Sequence, residues 1–241
     1  MHSIFISDLH LSPARPSINK AFFDFLRGPA AQAEALYILG DLFDYWMGDD
    51  DDDPFNASVL TALRELAERG VALYLMHGNR DFLIGKVCAE KAGANLMEDP
   101  TILELYGTPT LLMHGDTLCT DDVRYLEFRA KVRSPTWQQQ FLAQSIAARK
   151  QIIAGLRGEN NAEKKLKTDE IMDATPAGIE TALREHDYPR LIHGHTHRPA
   201  RHEHVVHGRH CERWVLADWY TNGSYLACDG GGCRATKLAA A

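Results

Sequence analysis

Five short motifs spread along the chain offer carboxylate and amide oxygens together with imidazole nitrogens. They are Asp8-Leu9-His10, Gly40-Asp41-Leu42-Phe43-Asp44, Gly78-Asn79-Arg80-Asp81, His114-Gly115-Asp116 and His193-Gly194-His195-Thr196-His197. No thiolate is among these donors, which suits Mn²⁺, Fe or Zn²⁺ in an open site better than a closed structural zinc cage. Two such ions held close together are apparatus for hydrolysing phosphate esters. A lone Asp-x-His or His-x-His occurs often by chance, so the weight lies on the whole set and its order. Asp44 and Asp116 have a second reading, as groups that orient their neighbours through hydrogen bonds.

Each motif follows a short apolar run: His2 to Ile6, Ala35 to Leu39, Val71 to Met76, Thr110 to Met113 and Arg190 to Ile192. Runs of this length bounded by turn residues predict buried strands. Functional side chains at strand ends are what an α/β sheet provides. Helical patterns lie between, over Lys20 to Leu26 and over Ser58 to Arg69, where Leu60, Leu63, Leu66 and Ala67 share a face and Gly70 is a stop. The acidic run Asp49 to Asp53, closed by Pro54, reads as a solvated loop, with a weaker reading in which it faces the site entrance.

The stretch 121–185 lacks strand signals. Leu142, Ile146, Ile153 and Leu156 fall near one helical face there, with Trp137 and Phe141 close by. We expect a core formed by 1–120 and 186–241, interrupted by a helical insertion at 121–185. That insertion is either an ordinary packing subdomain or a lid over the substrate. Lys164, Lys165 and Lys167 within it are a solvated face or a phosphate contact. In the tail, Arg213 to Leu216 and Ser224 to Ala227 predict strands. His202, His204, His207 and His210 read as exposed strand histidines. Gly230 to Gly232 and Leu238 to Ala241 read as a disordered end.

The 241 residues, 45% hydrophobic and 24% charged, are those of a globular protein large enough to bury a core without staples. A net charge of −7 argues against a general nucleic-acid surface, which needs a basic excess. Cys88, Cys119, Cys211, Cys228 and Cys233 form no Cys-x-x-Cys pair and read as reduced or incidental thiols of a cytosolic protein. No signal-peptide pattern opens the chain, and no apolar run approaches the ~18–20 residues that span a bilayer. The expectation is a cytoplasmic protein, or one that lies on a membrane without crossing it. No obligate protein partner is evident.

Taken together, the motifs resemble those of the calcineurin-like metallophosphoesterase family, whose pattern is D-x-H, G-D, G-N-H-[DE], H and G-H-x-H. The resemblance implies an α/β sandwich of two central mixed sheets flanked by helices, with two metal ions at the strand ends. It implies that Asp8, His10 and His197 hold one ion, that Asn79, His114 and His195 hold the other, and that Asp41 bridges them. It implies a hydroxide nucleophile activated by the metal pair, with Asp41, Asn79, Arg80, His114 and His195 as the catalytic set.

Arg80 departs from that pattern, which has histidine after the asparagine. That histidine is the usual candidate for protonating an alkoxide leaving group. Arginine does not give up its proton at neutral pH but clamps phosphate bidentately. The leaving group should then need no proton, as a phosphate does not. The expected substrate therefore contains a pyrophosphate.

A narrower resemblance is to the hydrolases that split UDP-2,3-diacylglucosamine in Gram-negative bacteria. It is carried by Ser7-Asp8-Leu9-His10-Leu11, Gly40-Asp41-Leu42-Phe43-Asp44-Tyr45-Trp46, His77-Gly78-Asn79-Arg80-Asp81-Phe82-Leu83 and Asp218-Trp219-Tyr220. It covers Met1 to about Ala227. It implies two Mn²⁺ ions, although Fe and Zn are open to the donor set. The products would be UMP and 2,3-diacylglucosamine 1-phosphate (lipid X), after attack on the uridine-side phosphorus. The setting would be lipid A synthesis at the cytoplasmic face of the inner membrane. The substrate contacts it implies are Asn79, Arg80, Asp122, Tyr125, Asn160, Lys164, Lys167 and His195, where relatives can carry serine in place of Asn160. Two alternatives stand beside it: a related enzyme acting on a soluble nucleotide, and a metal-free scaffold that binds proteins.

Overall fold

Alternation within the apolar runs decides which way each side chain points, and so builds the layers. The computed structural model describes residues 1–164, 171, 173–187 and 189–238, with the side chains of 157–164 outside that description. The first half runs β1 (Ser3–Ile6), α1 (Pro16–Arg27), β2 (Ala35–Leu39), α2 (Pro54–Glu68), β3 (Ala72–Met76), α3 (Lys86–Ala92), β4 (Ala94–Met97), β5 (Thr101–Leu105) and β6 (Thr108–Met113). Four helices follow: α4 (Val123–Val132), α5 (Pro135–Leu142), α6 (Ile146–Lys164) and α7 (Pro176–Glu185). The chain closes with β7 (Arg190–His193), β8 (Ala200–Val206), β9 (Arg209–Val215), β10 (Ser224–Asp229) and β11 (Gly232–Lys237).

The strands form two mixed sheets, ordered β11-β10-β1-β2-β3-β4 and β5-β6-β7-β9-β8. Pairing is parallel from β1 through β4, and again from β6 through β7 to β9. Along β1, Ile4 and Ile6 face a core made with Phe22, Phe25 and Leu26 of α1 and with Val59, Leu60, Leu63 and Leu66 of α2. Phe5 points the other way, into a second core between the sheets with Tyr37, Leu39, Met76, Leu112 and Ile192. Burial on both faces is why these strands are continuous apolar runs. Asp53 caps α2, accepting from the backbone N–H of Phe55 at 2.9 Å, and Pro54 takes the first helical position.

Several expectations change here. The acidic loop is held by specific partners. Asp49 accepts from the backbone N–H groups of Gly85 and Cys88, each at 2.9 Å, and from the Trp46 indole at 3.0 Å. Asp50 receives the guanidinium of Arg149 in a two-pronged contact at 2.6 and 2.8 Å. Of the residues expected to form a disordered end, Gly230 to Gly232 instead turn the chain into an edge strand, so that β11 pairs with β10. Residues 239–241 lie outside the described ones. That hairpin sets Cys228 opposite Cys233, and the two form a disulfide, while Cys88, Cys119 and Cys211 are buried thiols. His207 and His210 are exposed as expected, whereas His202 and His204 are half-buried.

Within 121–185, α7 behaves differently from the helices before it. Its Ile179, Ala182 and Leu183 pack on Leu111, Met113 and Leu191 and so cover the outer face of the second sheet. In α5, Phe141 is buried in the first core, and Trp137 packs partly against it. Among the described residues, no helix is long and apolar enough to cross a membrane.

Arg149 ties α6 to the loop after β2. Its side chain is 3% exposed, and it also donates to the carbonyls of Met47 at 2.8 Å and Gln144 at 3.0 Å and to that of Leu142. Arg149→Met keeps the bulk and strands these acceptors, at a cost of about 1–3 kcal/mol. The expected result is a lower melting temperature and earlier proteolytic cleavage around α5 and α6. Unchanged protease sensitivity would show that the tie is dispensable.

Candidate metal centre

Parallel strands bring their carboxyl ends to one edge, and all five motifs sit at that edge. β1 delivers Asp8 and His10, β2 delivers Asp41, and β3 delivers Asn79 and Arg80. From the second sheet β6 delivers His114, and β7 delivers His195 and His197. The turns are tight. Asp8, His10, Asp41, His195 and His197 all adopt left-handed backbone, with φ of 55°, 49°, 55°, 66° and 56°. Such conformations cost on the order of 1–3 kcal/mol each and persist where surrounding contacts over-determine them. Two glycines allow the close approach. A Cβ at Gly78 would lie 2.0 Å from Asp41 Oδ1, and one at Gly194 would lie 2.3 Å from Asp8 Oδ2.

The seven candidate ligands converge. Donor atoms of Asp8, His10 and His197 lie within 4.8 Å of one another, as do those of Asp8, Asp41 and His114. His197 Nε2 stands 3.3 Å from Asp8 Oδ1. Asn79 Oδ1 lies 3.1 Å from His114 Nε2 and 3.0 Å from His195 Nδ1. Asp41 Oδ1 accepts the backbone N–H of Arg80 at 2.8 Å. Its Oδ2 faces both groups, 3.7 Å from His10 Nδ1 and 4.0 Å from His114 Nε2. One carboxylate oxygen between two donor sets is the arrangement a bridging ligand needs.

The electrostatics fit bound cations. Burial, reinforced by the charges of Asp81 and Asp8, pushes the Asp41 carboxyl well above its ordinary value. Burial also acts against ionised Asp8, yet the His197 hydrogen bond and the neighbouring His114 hold it far below the usual carboxylate range. For His114, burial is outweighed by Asp41 and Asp8, and its pKa rises. Burial lowers His10 to about 3 and His195 to about 4, so both are neutral bases ready to ligate. His10 is buried, and among the described residues neither of its ring nitrogens has a hydrogen-bond partner. A divalent ion would satisfy that orphaned ring and the crowded carboxylates together.

Around this centre, the Arg80 guanidinium lies against Tyr45, with Cζ 5.5 Å from the ring centroid and a hydrogen bond to its hydroxyl. Burial works against its charge, but Tyr45 and Asp41 more than restore it, so Arg80 stays cationic. Asp122 caps α4 by accepting from Tyr125 N–H at 3.1 Å. Tyr125 packs 6.0 Å from the His195 ring and donates its hydroxyl to Asp116. Asp116 also takes Arg129 at 2.7 Å, which agrees with its reading as an orienting group. The side chains of Asn160 and Lys164, and all of Lys165 and Lys167, lie outside the described residues.

Two contributors were named in the sequence reading without the role they play. Asp81 accepts backbone N–H groups from Leu42 at 2.8 Å, Gly78 at 2.9 Å, Asp41 at 3.2 Å and Phe43 at 3.3 Å, fastening the β2 and β3 loops together. Its fixed place after Asn79-Arg80 was the available signal. Tyr220 stands 5.4 Å from the His10 ring and 5.3 Å from that of His197, with Arg15 on its ring at 4.9 Å. The quoted Asp218-Trp219-Tyr220 triplet pointed to that segment without giving it a role.

Chelation should destabilise the fold, because the buried carboxylates then lose their cations. At a hundredfold excess over Kd, bound metal contributes about 2.7 kcal/mol. At about 2–4 °C per kcal/mol for a chain this long, the melting temperature should fall by roughly 5–10 °C with EDTA and recover on adding a divalent ion. A melting curve indifferent to chelator would contradict the metal fit.

The calcineurin-like phosphoesterase model matches residues 1–199. The chain is 54% identical over 232 residues to a UDP-2,3-diacylglucosamine hydrolase of Aromatoleum aromaticum, covering 96% of this chain and 95% of that protein. It is 53% identical over 223 residues to the protein of the same name from Cellvibrio japonicus, covering 92% and 93%. With the one from Xanthomonas campestris pv. campestris it shares 47% over 246 residues, covering 99% and 100%. The chain thus belongs to the calcineurin-like phosphoesterase family, whose members are metal-dependent hydrolases, and is a homologue of the UDP-2,3-diacylglucosamine hydrolases.

Proposed function

We propose that this chain hydrolyses the pyrophosphate of UDP-2,3-diacylglucosamine, releasing UMP and 2,3-diacylglucosamine 1-phosphate in lipid A synthesis. The observation that carries the reading is Arg80. It is a permanently charged group whose own N–H is fixed to Asp41, and it stands where a proton donor would serve an alkoxide. In this reading Asp8, His10 and His197 hold one divalent ion, Asn79, His114 and His195 hold a second, and Asp41 lies between them. Mn²⁺ is the ion proposed. When bound, the two ions supply Lewis acidity and a water of lowered pKa.

The remaining work falls to the chain. Water attacks the uridine-side phosphorus, the bond to the bridging oxygen breaks, and the sugar phosphate leaves already stable as an anion. Arg80 clamps the phosphoryl oxygens and offsets their growing charge. Asn79 and His195 hold the same phosphate. Asp122 and Tyr125, with Asn160, Lys164 and Lys167, are proposed as contacts to the rest of the head group.

The acyl chains are assigned to the insertion. Support comes from Trp137, which stacks 4.8 Å from Phe141 and stands 6.2 Å from Phe82, two residues beyond Arg80. With α7 committed to the second sheet, the proposed lid is α4 to α6. A diacylated substrate supports contact with a membrane surface, and the location proposed is peripheral, on the cytoplasmic face of the inner membrane.

Two outcomes test the reading. Manganese-loaded protein should release UMP from UDP-2,3-diacylglucosamine and not from UDP-glucosamine, and label from ¹⁸O water should enter the UMP. Each buried methylene is worth ~0.8 kcal/mol, so shortening the acyl chains should weaken turnover steeply. Equal rates without acyl chains would favour a soluble nucleotide instead. Separately, Arg80→Ala should lose about 10²–10³ in kcat, as when a transition-state charge stabiliser is removed. Arg80→His should not restore it; recovery would mean that this position donates a proton.

A further inference from the structure

Arg213 lies in β9, away from every motif, and is 7% exposed. Among the described residues its hydrogen bonds go to two imidazoles. Nε donates to His204 Nε2 at 3.1 Å, and Nη1 donates to His193 Nε2 at 3.1 Å. A buried guanidinium is expensive to hold, so its placement calls for a reason.

Arginine has donors only, so His193 Nε2 must be an acceptor. The proton of a neutral His193 then sits on Nδ1, which lies 2.9 Å from the carbonyl oxygen of Gly194 and donates to it. That carbonyl shares one rigid peptide plane with the N–H of His195. The His195 N–H donates to Asp8 Oδ2 at 2.8 Å, and the Ser7 hydroxyl donates to the same oxygen at 2.6 Å. Every donor in this chain points the same way, from Arg213 through His193 and one peptide to Asp8. With Oδ2 occupied twice, Asp8 presents Oδ1 towards His197.

The peptide needs holding. Thr196 N–H also donates to the Gly194 carbonyl at 2.8 Å, closing a three-residue turn whose central residue, His195, has φ of 66°. This is the rare, strained form of γ-turn. The space is kept for it: a Cβ at Gly115 would lie 2.7 Å from His193 Nδ1 and 3.0 Å from the Gly194 oxygen.

We infer that Arg213 is a positioning residue for the metal centre, acting through neutral His193 on the Gly194–His195 peptide and thereby on Asp8, His195 and His197. The inference rests on the metal-ligand reading of those three residues.

The test uses the full chain, with free Mn²⁺ counted by electron paramagnetic resonance during titration and melting followed without metal. Arg213→Met and His193→Phe should each weaken Mn²⁺ binding about 10–100-fold, the usual cost of losing a group that orients a ligand. The double variant should lose no more than either single one, because the two act in series. Arg213→Lys, which keeps one donor for His193, should recover most of the affinity, and it also serves if Arg213→Met does not fold. Wild-type Mn²⁺ affinity in Arg213→Met with only a lower melting temperature would reduce Arg213 to a packing role. Losses that multiply in the double variant would overturn the serial relay. No Mn²⁺ uptake by the unaltered chain would instead strike down the metal reading itself.

Discussion

Three carboxylates far apart in sequence, Asp8, Asp41 and Asp81, are buried close together in space at the seam between two sheets. Like charges in a water-poor interior repel strongly and lose their hydration, so the surrounding structure must answer each of them. Asp81 is answered entirely by main chain, accepting from the backbone of two loops. Asp8 and Asp41 are answered only in part: each has one oxygen bonded to an N–H and the other turned towards imidazoles. The fold completes the charge balance of one carboxylate; in the proposed metal reading, a bound ion would complete that of the other two.

This division explains why the backbone is contorted where it is. A strand that ended in ordinary extended geometry would point successive side chains to opposite faces. The left-handed residues at Asp8, His10, Asp41, His195 and His197 bend the chain so that neighbouring motif side chains reach one point. Fixed anchors hold that bend. Arg15 donates to the carbonyls of Leu9, His10 and Trp219 at 2.8, 3.1 and 2.7 Å, and Trp219 N–H returns to the Asp8 carbonyl at 3.1 Å. Strain and anchor are two sides of the same preorganisation.

The strands and the donor residues were legible in the sequence because both leave local marks: an apolar run buried on two faces, and a polar motif at its end. What was not legible depends on distant partners. The acidic run looked uniform, yet Asp49 binds backbone, Asp50 binds Arg149, Asp51 pairs with Lys150 at 3.8 Å and Asp53 caps a helix. Gly230 to Gly232 looked like an end and is the turn of a hairpin, and only that register reveals that Cys228 meets Cys233. The amphipathic face of α7 was legible as a helix, but its docking on the second sheet was not. Arg213 carries no motif at all; it becomes visible once β9 is laid beside β7, opposite Leu191.

The seam between the sheets has a consequence for the chain's life before it is complete. The contact from His195 to Asp8 spans 187 residues of sequence, and His197 lies further still. Such long-range closures are slow and come late, and a chain is made from its amino end. A nascent polypeptide that has finished β1 to β4 already carries Asp8, His10, Asp41 and Asn79, but it lacks the imidazoles of the second sheet that would close the cage. With the proposed ligand set, the half-site at the ribosome would be a weak binder, and capture of an ion would wait until synthesis is nearly over. In this architecture, acquiring an ion and completing the domain would then be one event.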